Sequence, residues 1–349
     1  MQLDQKNPFT KKVDVLIVED SRVIRDYLVY VLEGDPILKI IGTAENGEEA
    51  LLSLERCRPD VILMDIHMPK VDGFEATRRI MSSDPIPIVI CTASIHYLEV
   101  HTAMRALEAG ALAILRKPSG FSDPNAEAES TAIIDTLKLM SEVKLVRRWT
   151  PTSSPILSTP LPRKIEVVAI GASTGGPPAV LKVLLGLPRP FSAPILLVQH
   201  ISTGFTQGFA EWLATASGFP VHITQNGERP LPGHVYVAPD DHHLWISILG
   251  DLRIDRFPPR NGLRPAVSVL FQSVAEQFGP RAAGILLTGM GRDGAEELKK
   301  MFDRGALTVA QDEASCVVFG MPGEAIRIGA AQFVRPPEQI ANLLTQIES

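Results

Sequence analysis

The chain has little of what marks secreted, membrane or nucleic-acid-binding proteins. Three of its 349 residues are cysteines, Cys57, Cys91 and Cys316. They lie far apart and cannot all pair, so reduced thiols are the simplest interpretation. No apolar run approaches the ~20 residues that span a bilayer, and the polar start lacks the apolar region of a signal peptide. The net charge of −6 argues against nucleic acid as the main partner. We therefore expect a cytoplasmic protein that does not insert into membranes.

The composition that remains is that of a globular protein with two domains. Apolar residues make up 45% and charged residues 21% of the chain, and the length allows two separate cores. A segment rich in proline, serine and threonine, residues 149–164, separates two α/β patterns and predicts a linker. We predict domains at 11–125 and 164–349, joined by residues 126–163. One helix is expected over Asn125–Arg148.

The first domain alternates apolar β-branched runs with amphipathic helical patterns. The runs 61–64 and 86–90 are apolar throughout, and 13–18 is apolar except for Asp14, as is typical of strands that are buried on both faces. This alternation predicts a doubly wound α/β fold, in which helices cover both faces of a parallel sheet.

Polar residues follow these predicted strands: Glu19, Asp20, Asp65, Thr92 and Lys117. Carboxyl ends of parallel strands converge on one crevice, where three carboxylates would repel one another and oxygen ligands would suit Mg²⁺. Asp65 could then attack a phosphoryl group and form an aspartyl phosphate. Alternatively, Glu19 and Asp20 are ordinary acids at a helix start and Lys117 is a solvated lysine. That alternative explains each residue but not five at matching strand ends.

The second domain contains a glycine loop, Gly171–Gly176, between an apolar run at 165–170 and a helical pattern at 177–187. Strand, tight loop and helix in this order would present Ser173 beside backbone N–H groups, as a nucleophile requires. The loop could instead cradle phosphate, with Ser173 or Thr174 as a helix cap. A phosphate loop is disfavoured, because neither G-x-G-x-x-G nor a Gly-Lys-Ser/Thr ending is present.

Two further polar residues follow long apolar runs in this domain. His200 follows residues 193–198, and Asp293 lies soon after residues 283–288. A nucleophilic serine needs a base, and the base needs a third group to orient it. Each residue also has an ordinary interpretation: helix cap for Ser173 and Asp293, strand-end histidine for His200. All three together at converging strand ends favour catalysis. The chain order Ser, His, Asp differs from that of α/β-hydrolases, so G-x-S-x-G is weak evidence for that fold.

Two other features have structural interpretations. Asp240-Asp241-His242-His243 could suggest a metal site, but adjacent histidines on a strand point to opposite faces and no third ligand is evident, so a turn is predicted. We expect Cys316 to be a small buried apolar residue.

The first domain resembles the receiver domain of two-component response regulators. The resemblance is carried by Val18–Ser21, Met64–Gly73, Thr92–Ser94 and Lys117-Pro118. It implies a flavodoxin-like fold and phosphorylation of Asp65 by a histidine kinase. It also implies Mg²⁺ held by Glu19, Asp20, Asp65 and the backbone carbonyl of His67, with Thr92 and Lys117 contacting the phosphoryl group.

This resemblance includes two departures from the common receiver pattern. Glu19 stands where receivers often have aspartate, which keeps the charge but lengthens the side chain. Ile114 stands where many have tyrosine or phenylalanine. An aromatic switch at this position is therefore not expected.

The second domain resembles the CheB family of chemotaxis protein-glutamate methylesterases. The matching segments are Gly171–Pro177, Gln199-His200, Ala238-Pro239, Arg264-Pro265, Leu287–Ala295 and Gly320–Pro322. The resemblance implies a Rossmann-like α/β domain that hydrolyses glutamate methyl esters on the cytoplasmic helices of chemoreceptors, with methanol as product. Less firmly, it implies deamidation of receptor glutamines. It implies no cofactor for the esterase.

Three expectations follow for mechanism and regulation. Backbone N–H groups near Thr174 and Met290 would hold the oxyanion. The receiver, tethered by a short linker, would restrict access to Ser173 until Asp65 is phosphorylated. The protein is expected to be a monomer. A DNA-binding regulator would need a basic helix-turn-helix, which residues 164–349 do not offer, and a non-catalytic adaptor would leave the three strand-end residues unexplained.

Overall fold

The structure, a computed structural model, describes residues 12–92, 97–118, 126–143 and 164–348. The chain divides into two compact units, residues 1–145 and 146–349. The domain boundaries proposed above stay a prediction. Across the described ranges, no helix combines the length and apolarity that crossing a bilayer requires.

The first unit is a five-stranded parallel sheet with helices between its strands, as predicted. The strands are β1 Val13–Val18, β2 Leu38–Ala44, β3 Val61–Met64, β4 Ile88–Thr92 and β5 Ala113–Arg116. The helices are α1 Arg22–Glu33, α2 Gly47–Leu54, α3 Gly73–Ser83, α4 Tyr97–Glu108 and α5 Ala126–Ser141. The strand order is β2-β1-β3-β4-β5. The order reverses between β1 and β3, so their carboxyl ends border the crevice where α/β sheets place ligands.

Burial explains the apolar runs of this sheet. Every residue of β3 and of β4 is buried, because both strands have neighbours on each side and helices on each face. Helix α5 ends at Ser141, and Glu142 and Val143 are not helical. The expected helix over Asn125–Arg148 is thus too long at its C-terminal side, while residues 125 and 144–148 lie outside the described ranges.

The second unit contains a larger parallel sheet and a two-stranded hairpin. Its strands are β6 Val167–Ala172, β7 Ile195–Gln199, β8 Val221–Ile223, β9 Val235–Val237, β10 His243–Ile246, β11 Leu252–Asp255, β12 Ala282–Leu286, β13 Leu307–Gln311 and β14 Phe333–Arg335. Its α-helices are α6 Gly176–Leu185, α7 Thr206–Ser217, α8 Val267–Phe278, α9 Ala295–Asp303, α10 Met321–Arg327 and α11 Pro337–Glu348.

Seven strands form this sheet in the order β14-β13-β12-β6-β7-β9-β8. All its pairings are parallel, and β10 pairs with β11 antiparallel. The predicted hairpin insertion is therefore confirmed. The central strands β12, β6 and β7 are buried throughout. The chain leaves β6 toward β7 on one side and returns at β12 on the other, so these three neighbours form the switch point of the sheet.

Candidate functional site

The five polar residues expected at the end of the receiver sheet fall in one place. Glu19, Asp20 and Asp65 offer carboxylate oxygens that all lie within 4.8 Å of one another. Lys117 contacts two of them, with Nζ 2.7 Å from Glu19 Oε2 and 3.0 Å from Asp65 Oδ2. Thr92 is buried and is the last residue of β4, the strand between β3 and β5 in the sheet. An oxygen-only cluster of this kind is consistent with a site for a hard cation.

The alternative, in which Glu19 and Asp20 are ordinary acids at a helix start and Lys117 is a solvated lysine, does not fit the structure. Glu19 is 1% and Lys117 8% exposed, so Lys117 is not a solvated surface lysine. Helix α1 begins at Arg22 with Ser21 at its N-cap, and no acidic residue lies in its first turn. Burial raises the pKa values of Glu19 and Asp65, although Lys117 acts in the opposite direction on both. The single positive charge of Lys117 therefore does not fully compensate the two buried carboxylates of Glu19 and Asp65.

The loop after Asp65 is built to hold its backbone close to α3. Asp65 Oδ1 accepts a hydrogen bond from Ile66 N at 2.7 Å, and Gly73 N donates to Ile66 O at 2.9 Å. A Cβ at Gly73 would lie 2.0 Å from the backbone oxygen of Asp65, so only glycine allows this approach. Between them lies the exposed His67, and Lys70 adopts φ 64. Ile114 is buried in β5 at 5% exposure.

In the second unit, the three predicted residues follow three adjacent strands. Ser173 follows β6, His200 follows β7, and Asp293 lies seven residues beyond β12 (293 − 286). Backbone hydrogen bonds join these strand ends: His200 N donates to Ala172 O at 2.9 Å, and Ser173 N donates to Thr288 O at 3.0 Å. Ser173 is therefore fixed between the strands that lead to the other two residues.

His200 and Asp293 are in direct contact. His200 Nε2 lies 3.1 Å from Asp293 Oδ2, and the two side chains are 11% and 2% exposed. The alignment falls outside that of a hydrogen bond, and among the described residues Nε2 has no hydrogen-bond partner. Catalytic hydrogen bonds are often poorly aligned before substrate binds. The arrangement thus brings the predicted base and its orienting carboxylate together.

Asp293 is also held from a second side, by the N-terminus of α8. Val267 N donates to Oδ2 at 2.6 Å and Ser268 N to Oδ1 at 3.1 Å. Burial alone would raise the pKa of Asp293, but His200 and the N–H of Val267 lower it below its ordinary value. Asp293 therefore does not cap the helix that follows it, whose N-cap is Gly294. It caps α8, which is distant in sequence.

Gln199 joins the loops of Ser173 and His200, and sequence reasoning missed it. Its Nε2 donates to Ser173 O at 2.8 Å and to His200 O at 2.9 Å. Gln199 is 4% exposed, and its Oε1 has no partner among the described residues. A Cβ at Gly176 would lie 2.2 Å from that Oε1. A polar residue at the end of a buried strand, next to the predicted base, is the signal that could have identified Gln199.

The glycine at 289 lets the third loop approach the serine. A Cβ there would lie 2.6 Å from Ser173 Cβ, so a larger residue would displace the serine. Met290 follows and is 43% exposed. Within the described ranges, no acceptor receives the backbone N–H of Met290 or of Thr174. Neither Ser173 nor Thr174 caps α6, whose N-cap is Gly175.

The remaining prediction on a single residue needs correction. Cys316 is half-buried rather than buried, since it lies in an irregular segment between β13 and α10. Burial nevertheless raises the pKa of its thiol.

Comparison with known proteins places both units in families. A family model described as CheB methylesterase matches residues 168–344, and one described as response regulator receiver domain matches residues 15–126. A protein-glutamate methylesterase/protein-glutamine glutaminase of Nitrosospira multiformis is 50% identical over 345 residues, covering 96% of this chain and 97% of that protein. A similarly named protein of Geobacter metallireducens is 47% identical over 342 residues, covering 96% and 99%.

A solved structure supports the assignment of the second unit. The methylesterase catalytic domain of Thermotoga maritima CheB superposes with a TM-score of 0.51 at 37% identity, covering 53% of this chain and 99% of that domain. The full-length identities include the receiver as well. The chain therefore belongs to the CheB family of protein-glutamate methylesterases, with a response regulator receiver domain ahead of the methylesterase domain.

Proposed function

We propose that this chain hydrolyses glutamate methyl esters on the cytoplasmic helices of chemoreceptors and deamidates receptor glutamines. The observation that carries the proposal is the buried His200–Asp293 pair, 3.1 Å apart, near the end of β6, which Ser173 follows. Family membership supports the substrate class, since relatives that match nearly the whole chain are named for both activities. Ester and amide carbonyls pass through the same kind of tetrahedral intermediate, so one site serves both.

In the proposed mechanism, Ser173 Oγ attacks the γ-carbonyl carbon while His200 takes the serine proton. Asp293 stays ionised because its pKa is lowered, and it holds the His200 nitrogen that faces it, Nε2. Nδ1 is then the nitrogen left to accept the proton. The protonated His200 gives that proton to the ester oxygen, or the amide nitrogen, as its bond to the carbonyl carbon breaks, and methanol or ammonia leaves. Water then cleaves the acyl-enzyme by the reverse sequence of proton transfers.

The developing oxyanion needs N–H donors that are not already hydrogen-bonded to an acceptor within the protein. The backbone N–H groups of Thr174 and Met290 meet this requirement in the described ranges. Loss of one such donor typically costs ~3 kcal/mol of transition-state stabilisation. The site supplies the serine, the base and the oxyanion donors from its own side chains and backbone, and we propose no cofactor for it.

In the receiver, we propose that Asp65 accepts a phosphoryl group from the histidine kinase of the pathway. Glu19, Asp20, Asp65 and the backbone carbonyl of His67 would hold Mg²⁺, which when bound would neutralise charge on the incoming phosphoryl group. Thr92 and Lys117 would contact its oxygens. The close approach of the carboxylates and Lys117 supports these roles.

The proposal also covers the domain boundaries, the cellular location and the oligomeric state. We assign residues 11–125 to the receiver, 126–163 to a connecting helix and linker, and 164–349 to the methylesterase. The protein would act in the cytoplasm as a monomer, without nucleic acid or membrane insertion. Phosphorylation of Asp65 would raise esterase activity.

A serine-reactive fluorophosphonate probe tests the catalytic proposal on the full chain. Peptide mapping of the labelled protein should place the probe on Ser173, and His200→Ala should slow labelling strongly because the nucleophile loses its base. Labelling spread over surface serines, or unchanged in His200→Ala, would refute the assignment.

A further inference from the structure

The turn Asp240–His243, between β9 and β10, contacts the segment that follows His200 and the chain that enters α8, whose first N–H groups bind Asp293. Asp241 adopts φ 54, as a tight turn requires. Its two aspartates and two histidines could suggest a metal site. In the described part of the chain, however, the carboxylates and imidazoles that converge closely enough for a metal ion are those of Glu19, Asp20 and Asp65. The side chains of the turn contact protein groups instead.

On one side, Asp240 closes the loop that follows His200. Asp240 Oδ2 accepts a hydrogen bond from Gly204 N at 2.9 Å, and Oδ1 accepts one from the hydroxyl of Thr206. Thr206 is the first residue of α7 and is buried. One carboxylate thus fixes both the middle and the end of the segment that begins at His200.

On the other side, His243 and Asp241 fix the chain that enters α8. His243 is 1% exposed, and its Nδ1 lies 3.3 Å from Ala266 N. A backbone N–H can only donate, so Nδ1 is the acceptor and Nε2 carries the proton. Nε2 then donates to Pro258 O at 3.3 Å. Asp241 Oδ1 accepts from Arg264 Nε at 2.7 Å, two residues before Ala266.

The N–H groups at the start of α8 complete the connection. Ala266 N donates to His243, while the next two donate to Asp293, from Val267 to Oδ2 at 2.6 Å and from Ser268 to Oδ1 at 3.1 Å. Oδ2 also faces His200 Nε2 at 3.1 Å. A displacement of the turn would therefore move the carboxylate relative to the imidazole from both directions.

We propose that Asp240 and His243 are positioning residues, and that the Asp240–His243 turn sets the geometry of the His200–Asp293 pair. The inference rests on the proposed function of that pair. Neither residue touches substrate; each acts through the loop it binds. Misplacement of a catalytic group by about 1 Å costs on the order of 100-fold in rate. A substitution that disturbs the turn should therefore lower kcat strongly and change KM little.

A double-mutant cycle on the full chain tests the proposal by methanol release from methylated receptors. Asp240→Ala should lower kcat by about 10- to 100-fold and leave KM within about twofold. In a His200→Ala background, the same substitution should change the residual rate less than about twofold, because the group it positions is gone. The exposed Asp303→Ala serves as the matched control and should leave both constants unchanged.

A second pair of variants keeps the test independent of folding. His243→Phe fills the volume but removes both hydrogen bonds, whereas His243→Gln keeps an acceptor and a donor. The Gln variant should recover most of the kcat that the Phe variant loses, at equal folded fraction by circular dichroism.

Equal losses from Asp240→Ala with and without His200, or equal kcat for the two His243 variants, would overturn the positioning role. Full activity in His200→Ala alone would instead overturn the proposed function from which the inference starts.

Discussion

Gln199 links the loop of the proposed nucleophile to the loop of the proposed base. Its amide donates to the carbonyls of both Ser173 and His200. Removing a buried donor leaves its acceptors unsatisfied, at a cost of about 1–3 kcal/mol each. The positions of the Ser173 and His200 loops and the stability of the fold around them therefore depend on the same side chain.

We predict that Gln199→Leu lowers kcat by about tenfold or more and destabilises the methylesterase unit by about 2 kcal/mol. Steady-state methanol release and thermal unfolding measure the two effects. The exposed Gln225→Leu is the control and should show neither effect. A kcat equal to that of the parent chain would mean that the Gln199 bonds do not position the site.

The same residues show how far the sequence could predict the site. That Ser173, His200 and Asp293 lie beyond neighbouring strand ends could be predicted, because each follows a long apolar run and parallel strands converge at one edge. The capping of α8 by Asp293 could not, because Val267 is 26 residues away from Asp293 and no local pattern joins them. The positions of His243 and Gln199 depend on similar long-range contacts.

At the level of secondary-structure elements, α5 is attached to the rest of the receiver by an ion pair between two residues that are far apart in the sequence. Lys138 Nζ donates to Asp35 Oδ2 at 2.6 Å, and the side chains are 20% and 16% exposed. Burial would raise the pKa of Asp35, but Lys138 and the Ile37 backbone lower it below its ordinary value. A group whose folded pKa is lowered stabilises the protein above its unfolded pKa.

We predict that Asp35→Asn destabilises the receiver by about 1–2 kcal/mol near neutral pH. The difference from the parent chain should shrink as pH falls below the ordinary aspartate range, through the lowered pKa, because protonated Asp35 loses the same charge. Unfolding curves across pH measure this. Asp26→Asn, which removes an exposed pair with Arg22 at 3.8 Å, should have little effect. A pH-independent difference would contradict the account.

Elements were predicted well where periodicity was strong and less well at their ends. The parallel sheets and the β10–β11 hairpin followed from apolar runs and turn residues. The end of α5 was misplaced, because Glu142 and Val143 continue a helical pattern that the structure breaks after Ser141. Helix ends depend on capping and packing, which a periodic pattern does not specify.

At the level of the whole molecule, the chain joins a receiver domain to a methylesterase domain. A receptor helix needs open access to Ser173, and we propose that the unphosphorylated receiver restricts it. A truncated chain that begins at Arg163 should then hydrolyse receptor methyl esters faster than the unphosphorylated full chain. Phosphorylation of Asp65 should bring the full chain toward the truncated one. If the truncated chain is no faster, steric restriction is wrong.

The central claim is that Ser173 is the nucleophile of a methylesterase, and methanol release tests it most directly. Ser173→Ala, measured in the full chain with methylated receptor membranes and compared with the exposed Ser192→Ala, should lower the rate by at least about 1,000-fold. Ser192→Ala should match the parent chain. Methanol release by Ser173→Ala at the parent rate would contradict the account.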